Sequence, residues 1–133
     1  MFRIMTLGAV CALLTSCSID PAQPHPVSGK VSYRNKPAEG AIVTLVSADS
    51  KGPRPTAMVE PDGSFRLSTQ MSYDGAPIGK YAVTIVYPSP EKKVEEQNAG
   101  PDLLRGKYSH PRKTPLHVEI VAGTNELKPF HLK

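Results

Sequence analysis

From Val27 onward, apolar and polar residues alternate with a period of two. Val27, Gly29, Val31 and Tyr33 interleave with Ser28, Lys30 and Ser32, and Phe65 and Leu67 interleave with Ser64, Arg66 and Ser68. Tyr81, Val83, Ile85 and Tyr87 repeat the pattern, as do Leu116, Val118 and Ile120. Successive side chains of a β-strand point to opposite faces, so this alternation predicts half-buried strands. Ala41 to Val46 and Thr56 to Val59 add two short apolar runs, and Phe130 with Leu132 marks a terminal one, which makes seven strands. Between them lie Arg34-Asn35-Lys36-Pro37, a polar loop from Ser47 to Pro55, Glu60-Pro61-Asp62-Gly63 and Ala122-Gly123-Thr124-Asn125, all of turn-forming composition. Short strands punctuated in this way predict an all-β sandwich or barrel. Pro129 lacks a backbone donor, which predicts that the last strand runs at a sheet edge or is bulged near that residue.

The interval from Pro88 to Pro115 breaks the rhythm. Ser89-Pro90-Glu91 is suited to capping a short helix to about Gln97. Val94 is the one apolar residue between Glu91 and Gln97, so that segment has no stripe to bury and reads equally as a loop. Leu103, Leu104 and Tyr108 are its expected anchors.

The N-terminus follows a different logic. Met1 to Arg3 gives a positive start, and Ile4 to Leu14 forms an apolar run too short to span a bilayer. Thr15 and Ser16 supply small residues before Cys17. This arrangement resembles a bacterial lipoprotein signal; the other reading of it is an ordinary secretory signal with a cysteine near its end. The lipoprotein resemblance implies cleavage between Ser16 and Cys17, a diacylglyceryl group on the Cys17 thiol, and acylation of the new amine, palmitate being such an acyl group. It also implies a cell-envelope location, with the outer membrane favoured in a cell with two membranes because Ser18, and not aspartate, follows the cysteine. Ser18 to Pro26 carries Pro21, Pro24 and Pro26 with few apolar residues and reads as a tether. The expected organisation is a signal at 1–16, a lipidated cysteine and tether at 17–26, and one domain at 27–133.

Removal of residues 1–16 from the 133 leaves 117, enough for one domain and too few for two ordinary ones. Cys11 lies in the discarded run and Cys17 is consumed by lipid, so neither a disulfide nor a cysteine metal site is expected in the domain. Loss of Arg3 takes the formal charge from +4 to +3, a mild excess. No basic helix and no sheet with interleaved aromatics accompanies it, so nucleic-acid binding is not expected.

Gly29-Lys30-Val31-Ser32-Tyr33-Arg34-Asn35-Lys36-Pro37 followed by Gly40-Ala41-Ile42-Val43-Thr44-Leu45 resembles the opening of a carboxypeptidase regulatory-like, or transthyretin-like, domain. Asp62-Gly63-Ser64-Phe65, Gly79-Lys80-Tyr81-Ala82-Val83-Thr84, Lys107-Tyr108 and Thr114-Pro115-Leu116 continue the likeness in order. The resemblance implies a seven-stranded Greek-key sandwich with a binding or structural role, no catalysis, no cofactor and no metal. Hydroxyisourate hydrolases of the same fold end in Tyr-Arg-Gly-Ser, whereas this chain ends in His131-Leu132-Lys133. The zinc ligands of metallocarboxypeptidases lie on a separate catalytic domain, which this chain does not contain.

Candidate chemistry is sparse. His25, His110, His117 and His131 are expected to face solvent, and His117 and Glu119 share one face of a strand. A small envelope hydrolase or metal-dependent enzyme would draw on His110, His117 and Glu119. Lys30 and the late Asn125 resemble the pair that forms an internal isopeptide bond in domains of a related sandwich fold, but alternation turns Lys30 outward. Asp49, Asp62 and Asp74 read as turn formers. Arg105, Lys107, Arg112 and Lys113 form the densest basic stretch, suited to anionic headgroups or acidic polysaccharide or simply to a solvated loop. A carbohydrate-binding module would have to stack sugars on Tyr73 and Tyr108, since there is no Trp and Phe65 and Phe130 read as core. The expected partners are a membrane through the anchor and an envelope protein or polysaccharide.

Overall fold

In a computed structural model, residues 20, 22–89 and 101–133 are described. Cys17, the signal segment and the stretch read as a short helix or loop to about Gln97 lie outside them. The described residues form β1 (Val27–Tyr33), β2 (Lys36–Pro37), β3 (Ile42–Ser47), β4 (Thr56–Met58), β5 (Ser64–Arg66), β6 (Gly79–Val86), β7 (His117–Ile120), β8 (Asn125–Glu126) and β9 (Phe130–Leu132). The fold is all-β. Nine strands stand where seven were expected, because two-residue pairings at β2 and β8 are too short to leave an alternating pattern.

One sheet runs β4-β3-β6-β7 and is antiparallel throughout. The other is built around β1, which pairs antiparallel with β2 and β5 and parallel with β8 and β9. Between Ser28 and Val31 of β1 the register advances three residues, whereas its partner advances four, from Glu126 to Phe130. The extra residue falls at Leu127–Pro129, and among the described residues β9 pairs with β1 alone, so Pro129 marks both an edge and a bulge.

Apolar side chains from both sheets meet in one core. Val27, Val31, Phe65, Phe130 and Leu132 come from the first, and Val43, Leu45, Val83, Ile85 and Ile120 from the second. Phe65 and Phe130 stack with centroids 6.3 Å apart. Gly29 leaves the space they need, since a Cβ there would stand 2.6 Å from Cζ of Phe65. Tyr81 is buried but not left polar and alone: its hydroxyl donates to the Pro77 carbonyl at 2.8 Å. Burial pushes the pKa of that phenol up.

The segment after Asp20 is tied into this fold. The Gln23 N–H donates to the Asp20 carbonyl at 3.0 Å, and His25 and Ala76 exchange two backbone hydrogen bonds of 2.8 and 2.9 Å. His25 is therefore part of the packed structure. Its Nδ1 accepts from the Gly123 N–H at 3.1 Å, and its Nε2 is buried without a hydrogen-bond partner among the described residues. The solvent-facing histidine expected there is corrected: proline-rich composition disfavours helix but leaves the backbone free to pair with a neighbouring loop.

Asn125 closes the same end. Its Oδ1 accepts from the Val121 N–H, and its Nδ2 donates to the carbonyls of Val121 at 2.9 Å and Gly123 at 3.1 Å, with a longer contact to Pro26. These bonds satisfy a buried side chain and leave no isopeptide partner, with Lys30 exposed on the outer face as alternation predicts. We expect Asn125→Ala to lower stability by about 2 kcal/mol, because it leaves the Val121 N–H without its acceptor. Chemical denaturation measures this, and an unchanged midpoint would contradict the assignment.

Candidate functional site

Among the described residues a broad cleft lies on the outer face of the second sheet. Because Lys80 pairs with Glu119 and Ala82 with His117 across β6 and β7, these four residues share that face. The β3 end adds Ser47 and Asp49, and the loop before β7 adds Pro111 and Arg112, to enclose about 650 Å³. Both signs of charge are present, from Lys80 and Arg112 against Asp49 and Glu119. The Ser47 hydroxyl donates to Asp49 Oδ1 at 2.7 Å and the Lys51 N–H does so at 3.0 Å. Those donors, the Ser47 hydroxyl foremost, hold the Asp49 carboxyl below the usual carboxylate range.

Arg112 reaches the cleft because its loop is fastened to β6. Buried Thr114 donates its hydroxyl to the Val83 carbonyl at 2.7 Å. The Lys113 and Thr114 N–H groups donate to the His110 carbonyl, and His110 Nδ1 accepts from the Arg112 N–H at 3.1 Å. His110 is thus spent on the turn and does not line the cleft, so it does not join His117 and Glu119. Among the described residues no three of His, Cys, Asp and Glu gather as a metal-holding group.

The basic stretch is divided. The Leu103 N–H donates to the Tyr87 carbonyl and the Ile85 N–H to that of Tyr108, so Arg105 and Lys107 lie toward the far end of β6 while Arg112 borders the cleft. Arg105, Lys107, Arg112 and Lys113 are all exposed. The Lys107 ammonium stands 5.5 Å from the Tyr108 ring centroid. Of the three expected anchors, Leu104 and Tyr108 are buried, whereas Leu103 is exposed. Burial of Tyr108 removes one of the two rings on which a sugar was to stack, and the face of the other, Tyr73, carries the Arg66 guanidinium at 3.8 Å.

Sequence reasoning missed two polar arrangements. Asp102 accepts from the N–H groups of Tyr87, Leu104 and Gly106 at 2.9 to 3.0 Å and so shapes the loop that carries Arg105. An aspartate two residues after Gly100 was its only sequence signal. On the first sheet, Ser32 Oγ and His131 Nδ1 are 2.8 Å apart beside Arg34, Asn35 and Lys133. A serine and an imidazole in contact are two parts of a nucleophilic site, but among the described residues no carboxylate side chain lines that recess to orient the ring.

Three aspartates read as turn formers act as such. Asp62 accepts from the Ser64 hydroxyl and N–H, and Asp74 from the N–H groups of Thr69, Gln70 and Met71. The Ser64 hydroxyl chiefly lowers the Asp62 pKa, while for Asp74 desolvation raises it but the three backbone donors outweigh that and lower it. A folded-state pKa below the unfolded value gives stability that is present above the unfolded value and lost as pH falls through the folded one. The melting temperature is therefore expected to fall on acidification below about pH 4. Asp74→Asn should reduce that slope, and a parallel profile for the variant would contradict the role given to Asp74.

In comparisons with known proteins, no family model matches this chain and no curated protein matches it.

Proposed function

We propose that this chain is a lipid-anchored cell-envelope protein that displays a non-catalytic β-sandwich as a binding or structural surface. The fold proposed within that reading is the seven-stranded Greek key of carboxypeptidase regulatory-like domains, with β2 and β8 as minor additions. The observation that carries the reading is the placement of Cys17. It closes a run read as a short export segment and stands eight residues before His25, which exchanges backbone hydrogen bonds with Ala76 of the folded body. Each buried CH₂ of an acyl chain contributes about 0.8 kcal/mol, so several chains on one cysteine suffice for stable retention.

The cleft between β3, β6 and β7 supplies the display surface. Its paired cations and carboxylates suit a partner segment carrying both charges, such as part of an envelope protein, better than a uniformly acidic polysaccharide. The separation of His110 from His117 and Glu119 favours binding over hydrolysis. Growth of producing cells on labelled palmitate tests the anchor: label in the wild-type chain and none in a Cys17→Ala variant is expected. Equal labelling of both, or of neither, would overturn it.

A further inference from the structure

We infer that the end of the sandwich beside the tether is a lipid-facing surface, seated on the leaflet that holds the anchor. This deepens the anchoring proposed above and rests on it. Four features of the fold converge on that end. β5 runs antiparallel to β1, so the 67–78 loop that follows it lies beside the start of β1, and His25 with Ala76 fixes this contact. Gly79 pairs with Ile120, which brings the 121–124 turn to the same end, and Ser47 pairs with Tyr81, which brings the 48–55 loop there as well.

These loops expose the apolar side chains that the core does not use. Among the described residues seven large hydrophobic side chains are exposed, and four of them are here: Met71 at 74%, Val121 at 53%, Tyr73 at 52% and Ile78 at 39%. None belongs to a strand, so none is exposed simply because alternation turned it outward. Tyr73 is held with φ of 61° by its N–H bond to Ser68 Oγ, and Arg66 lies against its ring at 3.8 Å. A tyrosine with an adjoining guanidinium suits the headgroup layer, where one side is apolar and the other wet.

Charge at this end is close to balanced, so the seat rests on the apolar side chains. Lys51, Arg54, Arg66 and Lys80 stand there against Asp20, Asp49, Asp74, Glu119 and Glu126. The donors on Asp49, the Ser47 hydroxyl foremost, and the backbone N–H groups that outweigh desolvation at Asp74 keep those carboxylates ionised. The point where the chain enters the fold then commits the occupant. The Asp20 bonds to Ala22 and Gln23 are local to the tether, and the first described bonds into the body are those His25 exchanges with Ala76, at this end. Eight residues separate His25 from Cys17, a reach of at most about 29 Å, so a lipid on Cys17 holds this end nearest the bilayer, while the Arg105 and Lys107 end lies roughly 23 Å farther along β6.

The test uses the mature lipidated protein in vesicles of phosphatidylethanolamine and phosphatidylglycerol, with a nitroxide on single cysteines at Met71→Cys, Val121→Cys or Met58→Cys. Met58 is an exposed control, placed by its pairing with Ile42 at the opposite end of the second sheet. Labels at 71 and 121 are expected to meet dissolved oxygen more readily than a water-soluble nickel chelate, and the label at 58 to show the reverse. Vesicle flotation with all three labels open to the chelate would overturn the lipid seat while leaving the anchor intact. Shielding of 71 and 121 from both reagents would place a protein there and also overturn it. Failure to float would remove the anchor and the seat together.

Discussion

Replacing Cys17 with alanine should move the protein from the membrane fraction to the soluble fraction of cells, with little change in the stability of the folded body. Cys17 lies outside the described fold, whose core draws on residues from Val27 to Leu132. The thiol is the one group at that position able to take the thioether, and alanine offers no substitute nucleophile. The acyl chains proposed on Cys17 are the retention device in this account. The exposed apolar loops at the tether end add contact area, but they are too small to hold the protein by themselves. Fractionation with a stability measurement on both forms checks this. Retention of the variant at wild-type level would show that another element carries the attachment.

Gly75→Ala should destabilise the folded body by roughly 3 kcal/mol, concentrated where the tether joins it. Gly75 has φ of 95°, and a Cβ at that position would fall 1.7 Å from the His25 carbonyl oxygen and 2.8 Å from Cα of Pro26. Both neighbours are backbone, so no side-chain rotation relieves the clash. The substitution must part His25 from Ala76, which breaks two backbone hydrogen bonds and opens the 67–78 loop. Denaturation midpoints give the magnitude, and hydrogen exchange at the His25 and Ala76 amides gives the place. A loss spread evenly over both sheets, or no loss, would contradict the close approach at Gly75.

Strands were legible wherever one face is buried and the other wet. Phe65 with Leu67, and Tyr81 with Val83 and Ile85, are buried as their alternation requires, because a two-residue period can satisfy one core in only one way. Pro129 announced the edge and the bulge through its missing donor. Less was legible where structure depends on pairing at long range. The parallel run of β8 and β9 beside β1 joins residues about a hundred positions apart, and two-residue strands leave no period to detect. His25 was hidden by its proline-rich setting. Leu104 and Tyr108 are buried as their role of anchors requires, whereas Leu103 is exposed, because nothing in the local pattern tells which of two adjacent leucines the loop turns inward.

The cleft was legible only in fragments. His117 and Glu119 were visible as a strand-face pair, because they are two residues apart. Lys80 and Asp49 join them through sheet register, and Arg112 through the Thr114 fastening to Val83, neither of which local sequence reveals. Grouping Arg112 with Arg105 and Lys107 followed their nearness in the chain, whereas the fold sends them toward different ends of β6. Salt therefore has two separate expected effects, on the cleft and on the far loop, in place of one on a continuous patch.

Intact mass spectrometry of the mature protein purified from cells tests the central claim most directly. A chain beginning at Cys17 and heavier than its amino-acid mass by a diacylglyceryl group and an amide-linked acyl chain is the predicted result. A free Cys17 thiol, or a chain whose first residue lies beyond it, would contradict the account.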